Sequence, residues 1–278
     1  MAVLRILFTR LRTEEKLLKE AAERLGIPCE LQLVSDTVFG GEPFCSQDDV
    51  VLARCVSHNQ NEAVAQMLET QGIRVVNSSH VMGVCGNKLT TSCVLEQAGV
   101  PQPKYLVAFT QEGALDAVER LGYPAVCKPV SGSWGRLLAK LNDRESAEAV
   151  FEHKAMLGAI HNTFYIQEFV DKGSFDVRAF VVDGEPLCAI ARSSQHWITN
   201  TARGGSASNM PLDDEVSELL RSVHRAIGGE FLAVDLFKRG DQWLVNEVND
   251  GGEFRNSIAP TGRDIPGAVV EAAWNKRR

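Results

Sequence analysis

Two β-type runs near the C-terminus, LAVDLFK around Asp235 and WLVNEVND with Glu247 and Asn249, carry acids on otherwise apolar strands. Strand side chains alternate in direction, so Glu247 and Asn249 share a face. If the runs pair as a hairpin, Asp235 joins them, and an oxygen-rich cluster forms among Leu232, Val234, Leu236, Leu244, Val245 and Val248. A carboxylate turned to a buried surface is costly unless it is paired or bound to a cation. Two readings follow. The cluster holds Mg²⁺ together with substrate phosphates, or its acids pair with Arg or Lys.

A length of 278 residues suffices for two or three compact lobes. No apolar run approaches the roughly 18 residues of a membrane span. MAVLRILFTR reads as a first strand rather than a signal peptide. The seven cysteines lack metal or framework spacing, which points to reduced thiols in a cytoplasmic protein. A net charge of −7 argues against a nucleic-acid partner.

The pattern divides the chain into residues 1–86, 87–170 and 171–278. The first part alternates strand and helix (VLRILFT, Glu14 to Leu25, CELQLVS, VVLARC, Asn61 to Glu69, IRVVN), which predicts a small parallel α/β sheet. No GxGxxG follows its first strand, which speaks against a dinucleotide site there. The second part reads helix (Thr90 to Ala98), then YLVAFT, a helix, AVCKPV, RLLAKL, a helix and FYIQEFV, an α+β lobe with an antiparallel sheet. In the third, DVRAFVV, EPLCAIAR and HWITN read as strands and ARGGSASN as a loop. A helix (Asp214 to Ile227), the acidic hairpin and a final helix (Asp264 to Trp274) follow.

Lys128 ends an apolar strand and is followed by SGSWGR. Gly132 and Gly135 allow close backbone approach, and Ser131 and Ser133 add donors, the makings of an anion nest. A hairpin turn with a snorkelling lysine fits the same segment. QEFV, Gln167 to Val170, ends a lobe at a hinge, where Glu168 and its neighbours suit a purine edge and Asp176 suits ribose hydroxyls or an exposed surface. Arg178, Arg192 and Arg203, with Asn200 beside ARGG, form a donor-rich set for an acyl phosphate, or else salt bridges. His153, His161 and His196 lack HExxH spacing, and no GxSxG elbow is present.

Lys88, KPVSGSWGR, QEFV, ARGG, Asp235 and NEVN occur in the order seen in ATP-grasp carboxylate–amine ligases. The chain resembles these enzymes over nearly its whole length. The likeness is strongest to the LysX/ArgX group, through GSWGRLLAK, HKAMLG before YIQEFV, HWITNTARGG and VNEVNDGGEF, and weaker to RimK-type glutamate ligases. The resemblance implies an ATP-grasp fold of three lobes with an N-terminal pre-ATP-grasp domain. It implies ATP held by Lys88, Lys128, Ser131, Gly132, Ser133, Trp134, Gly135, Gln167, Glu168, Phe169, Val170, Asp176 and Arg192. Two Mg²⁺ ions would sit on Asp235, Glu247 and Asn249, with Arg192, Arg203 and Lys128 catalytic. Arg178, Asn200, Arg203, Asn256, Ser257 and Thr261 would contact substrate.

The reaction so implied activates a carboxylate as an acyl phosphate, which an amine attacks. The carboxylate belongs to the C-terminal Glu of a small acidic amino-group carrier protein (LysW). The amine so implied is 2-aminoadipate, since Asn256, Ser257, Thr261 and Gly262 in EFRNSIAPTG, which would line its pocket, resemble the aminoadipate type. The alternatives are glutamate, as in the arginine branch, use of both, or a RimK-type ligase adding glutamate to another protein. NDGGEF departs from the family pattern, since Gly251 and Gly252 stand where bulkier residues are usual. An acidic chain also needs a local basic patch to steer an acidic carrier, for which Arg192, Arg203 and Arg255 are candidates. Related ligases associate, which suggests a homodimer or homotetramer.

Overall fold

The computed structural model describes residues 1–132, 137–173, 175–194, 196–197, 199 and 206–278. Three sheets organise them. The first contains β1 (Leu4–Phe8), β2 (Cys29–Leu33), β3 (Val50–Arg54) and β4 (Arg74–Val76) in the order β2-β1-β3-β4, all parallel. Every residue of β3, VVLAR, is buried, as expected of a central parallel strand covered on both faces. Its helices are α1 (Thr13–Arg24), α2 (His58–Thr70) and α3 (Ser79–Gly86). Ser57 and Ser78 cap the last two by accepting from Gln60 and Val81 N–H. The sequence gives little sign of α3, an eight-residue helix, SHVMGVCG, that contains two glycines.

Helix α4 (Lys88–Gln97) leads into the second sheet and starts at Asn87, whose Oδ1 accepts from Leu89 and Thr90 N–H at 3.0 and 3.2 Å. Strands β5 (Tyr105–Ala108), β6 (Ala125–Lys128), β7 (Ala139–Leu141) and β8 (Phe164–Glu168) take the order β5-β8-β6-β7, every pair antiparallel as expected. Helices α5 (Gln111–Leu121) and α6 (Arg144–Met156) cover it, with Ala114, Val118, Phe151 and Phe164 as its core.

The third sheet runs β11-β10-β9-β12-β13 and is antiparallel throughout. It comprises β9 (Phe175–Val182), β10 (Glu185–Ser193), β11 (Ser206–Met210), β12 (Phe231–Arg239) and β13 (Gln242–Asn249), with α7 (Asp214–Ile227) packed on it. Two expectations are corrected here. The described residues of HWITN, namely His196, Trp197 and Thr199, lie outside any strand, and His196 N–H donates to Ser194 Oγ at 3.1 Å in a local turn. SASN, read as loop, instead begins β11, an edge strand whose pairing with β10 substitutes for apolar alternation. Helix α8 (Arg255–Thr261) was likewise not expected in EFRNSIAPTG. The last helix, α9 (Ile265–Asn275), returns to the first sheet. One core therefore joins Leu4, Ile6, Leu18 and Val50 to Phe231, Phe254, Val269 and Ala273.

Candidate active site

The three sheets converge on one cavity of about 310 Å³, a size suited to a small-molecule ligand. The third sheet contributes a tight charged group, Asp176, Arg178, Arg192, Asp235 and Glu247. Asp235 on β12 lies in register with Arg178 on β9 and Glu247 on β13. Arg178 grips Asp235 with two bonds of 2.8 Å, and Arg192 approaches the same carboxylate at 3.2 Å. Burial alone would raise the Asp235 pKa; the two guanidinium groups more than reverse that and hold it at about 2. Arg192 also donates to Asp176 at 2.7 Å. Asp176 is buried, so it is not the surface acid that one sequence reading allowed. It accepts from Thr199 Oγ1 and lies 3.5 Å from Lys172 Nζ.

A bulge sets the other side. Asp235 pairs with Glu247 but Leu236 pairs with Val245, so Asn246 is the extra residue. A bulge re-aims side chains, and Asn246 faces the cavity beside Glu247. Asn246 Oδ1 accepts from Lys128 Nζ at 2.8 Å, and Glu247 accepts from Lys88 Nζ at 2.8 Å. Lys88 also donates to the Gly132 carbonyl at 3.2 Å, and Gly132 adopts a positive φ of 66°. Burial pushes Lys128 down to about 8; Lys88 acts in the same direction against the opposing pull of Glu247 and Asp235.

Gln167, Glu168, Phe169 and Val170 form another wall. Glu168 is already engaged, by Lys104 N–H and Arg239, both at 2.8 Å, while Lys140 lies 3.7 Å over the Phe169 ring. Ser131 forms an isolated bridge with Asn87, at the start of α4. Ser133, Trp134, Gly135, Asn200 and Arg203 lie outside the described residues.

The expected set Lys88, Lys128, Arg178, Arg192, Asp176, Asp235, Glu247 and Asn249 is thus brought to one cavity. Asn256, Ser257 and Thr261 are absent from its described lining, which ends at Glu253. Asn256 is exposed, Ser257 is buried, and Thr261 Oγ1 donates to the Ser257 carbonyl within α8. The basic patch also needs correction: Arg192 is only 5% exposed and its guanidinium is used internally. Lys172, Thr199, Asn246 and Arg54 are cavity residues that the sequence reading missed. A lysine four residues before Asp176 was a faint signal; Asn246 had none, because the bulge exists only in the pairing.

Of the two readings of the acidic hairpin, the pairing with Arg and Lys is the one seen in the structure. The two carboxylates pair with Arg and Lys. Asp235, Glu247 and Asn249 also offer hard oxygens at one cavity wall, with Asn249 Nδ2 directed to the Ala233 carbonyl at 3.4 Å. Among the described residues no group of three or more His, Cys, Asp or Glu could hold a metal. A Mg²⁺ ion on these three residues would need further oxygens from substrate phosphates.

The chain is an ATP-dependent carboxylate–amine ligase of the ATP-grasp type, as its family matches show. Residues 85–273 match the RimK-like ATP-grasp domain and residues 4–84 the LysX preATP-grasp domain, so the chain belongs to the RimK-like ATP-grasp family. It is 34% identical over 273 residues to the alpha-aminoadipate–LysW ligase LysX of Saccharolobus solfataricus, covering 96% of this chain and 99% of that relative. It is 30% identical over 268 residues to the glutamate–LysW ligase ArgX of Sulfolobus acidocaldarius, covering 95% of each. In fold it matches a RimK domain ATP-grasp protein from Sphaerobacter thermophilus with a TM-score of 0.79, at 23% identity over 97% of this chain and 98% of that one. The ATP-grasp fold implies binding of ATP and Mg²⁺. Among the described residues no helix is long and apolar enough to cross a membrane.

Proposed function

We propose that this ligase joins the α-amino group of 2-aminoadipate to the γ-carboxyl of the C-terminal Glu of a small acidic LysW-type carrier protein. The observation that carries this reading is the charge of the cavity. Around the acidic hairpin Lys88, Lys128, Lys172, Arg178 and Arg192 face Asp176, Asp235 and Glu247, a local net charge of +2 within a described lining of seven Lys and Arg and six Asp and Glu. Such an excess suits a polyphosphate and a transferring phosphoryl group. The similarity to LysW ligases over almost the whole chain supports the carrier as partner.

In this reading Lys88 and Lys128 hold nucleotide phosphates from one side, and Arg192 meets the transferring group from the other. Asp235 and Asp176 fix the arginines, so that their donors point without reorganisation. Asp235, Glu247 and Asn249 would hold Mg²⁺, which when bound offsets phosphate charge. Gln167, Phe169 and Val170 supply a mostly apolar wall for the base. The enclosing lobes keep water from the acyl phosphate until the amine arrives. Glutamate differs from 2-aminoadipate by one methylene, worth about 1–3 kcal/mol in a pocket, so weaker turnover of glutamate is expected too.

Intact-mass spectrometry of a carrier ending in Glu tests this. With enzyme, ATP and Mg²⁺ the carrier should gain the mass of aminoadipate faster than that of glutamate. A gain with glutamate alone would reverse the choice of amine. No gain with either, while ADP still binds, would reject the carrier reaction.

Lys128 gives a second expectation. An unfolded lysine titrates near 10.5, so the buried one at about 8 lowers stability at pH values below 8. That penalty is relieved as pH rises from 8 towards 10.5. A bound polyphosphate pulls the pKa back up, so nucleotide binding takes up a proton above pH 8. The ADP dissociation constant should then rise about tenfold per pH unit above 8. Titration calorimetry of wild type and Lys128→Met over pH 7–9.5 reads this. An equally steep profile in the variant would remove Lys128 from the nucleotide site.

A further inference from the structure

At another wall of the cavity, away from the lysine–phosphate cluster, the first sheet contributes Arg54 from the end of β3. Arg54 is 4% exposed, and its Nη2 is fully buried without a hydrogen-bond partner. An unused buried guanidinium donor is expensive. Its Nη1 donates to the Gly251 carbonyl at 2.7 Å, and its Nε reaches Glu15 at 3.3 Å. Glu15, however, is committed to Arg12, which holds it with Nε at 3.1 Å and Nη2 at 2.7 Å. Glu14 lies nearby, fully buried, with both oxygens unbonded and Arg255 at 3.8 Å. Burial drives the pKa of Arg54 down, with Arg12 adding to the shift, despite the pull of Glu15 and Glu14. By contrast, Arg178 in the grip of Asp235 is driven up. Arg54 thus lines the cavity with one buried guanidinium donor unpaired.

Gly251 makes this arrangement possible. A Cβ there would lie 2.9 Å from Arg54 Nη1, so any side chain at 251 would press on the guanidinium. Gly251 follows Glu247 by four residues, which confines the two backbones to within about 14 Å. A small amino acid lying between them can present its amine near the hairpin and its far end to Arg54.

We infer that Arg54, seated on Gly251, binds the side-chain carboxylate of the amino dicarboxylate substrate and selects it over uncharged isosteres. This rests on the proposed ligation of an amino dicarboxylate to the carrier. A guanidinium left with an unpaired buried donor rejects a ligand that lacks the matching acceptor. Because the group reads only one end of the substrate, its loss should raise KM for the amine and leave KM for ATP alone.

The test is carrier ligation with 2-aminoadipate and with norleucine, which lacks the remote carboxylate, by wild type, Arg54→Met and Gly251→Ala. Wild type should favour aminoadipate at least a hundredfold in kcat/KM. Arg54→Met should lose most of that preference through a higher aminoadipate KM, with the ATP KM within about twofold. Gly251→Ala, which keeps Arg54 but displaces it, should raise the aminoadipate KM about tenfold. Retained preference in Arg54→Met would overturn the assignment, as would equal losses with both amines or a raised ATP KM. Absence of turnover with either amine in wild type would instead reject the underlying ligation, so the two failures are distinguishable. If Arg54→Met does not fold, Gly251→Ala decides alone.

Discussion

Replacing Glu247 with Ala or Gln reduces Mg·ATP-driven turnover at least a thousandfold while metal-free ADP still binds. Glu247 is less committed to the protein than Asp235: its partner is the flexible Lys88 at 2.8 Å, and its side chain is 31% exposed. Asp235, by comparison, is clasped by two arginines. Removing Glu247 takes away a hard oxygen donor and raises the net charge of the cluster from +2 to +3. Extra positive charge favours a bare polyphosphate, whereas a missing donor weakens the cation that must accompany it. A thousandfold loss corresponds to roughly 4 kcal/mol of transition-state stabilisation. ADP affinity without metal should be unchanged or tighter, and the Mg²⁺ concentration for half-maximal activity should rise. A purely structural carboxylate would lower both binding and turnover. Activity within tenfold of wild type would sink the assignment of Glu247 as a metal ligand.

The same residue shows what a sequence can and cannot convey. Alternation placed Glu247 and Asn249 on one face, and the hairpin brought Asp235 opposite Glu247. Nothing in WLVNEVND reveals that Asn246 is the bulged residue, because a bulge is a property of register between two strands. Lys128 was legible as a charge on a buried strand, but its partner Asn246 lies 118 positions away. Arg54 looked like the ordinary end of a strand. Its unused donor emerges only when Gly251, 197 residues on, closes over it.

Fold legibility followed apolar content. β3, with every residue buried, and α7, with Val216, Leu220, Val223 and Ile227 along one face, announce themselves through spacing. SASNM at an edge has no such spacing, and its strand character comes from β10. HWITN has strand-like composition, yet its described residues turn to place Thr199 on Asp176 and Lys172. Local propensity yielded there to the needs of the site, which is where such conflicts are expected.

Asn77→Ala should destabilise the protein by about 4 kcal/mol. Asn77 is 2% exposed and uses its whole amide. Nδ2 donates to the carbonyls of Phe231 and Asp250 at 2.7 and 2.8 Å, and Oδ1 accepts from Glu230 and Phe231 N–H at 2.7 and 3.2 Å. One side chain after β4 thus substitutes for strand pairing with the start of β12 and the end of the acidic hairpin. Each buried backbone group left unpaired costs about 1–3 kcal/mol. At about 2–4 °C per kcal/mol for a chain of this size, the melting temperature should fall by roughly 10 °C. A fall below 2 °C would refute the pin. Asn77→Asp, which sets a buried carboxylate oxygen against the Phe231 and Asp250 carbonyls, should destabilise at least as much. The Asp250 carbonyl immediately precedes Gly251, so loosening it also frees the turn on which Arg54 rests. Below the melting range, Asn77→Asp should therefore raise KM for the amine more than KM for ATP, linking the stability of this joint to the geometry of one substrate subsite.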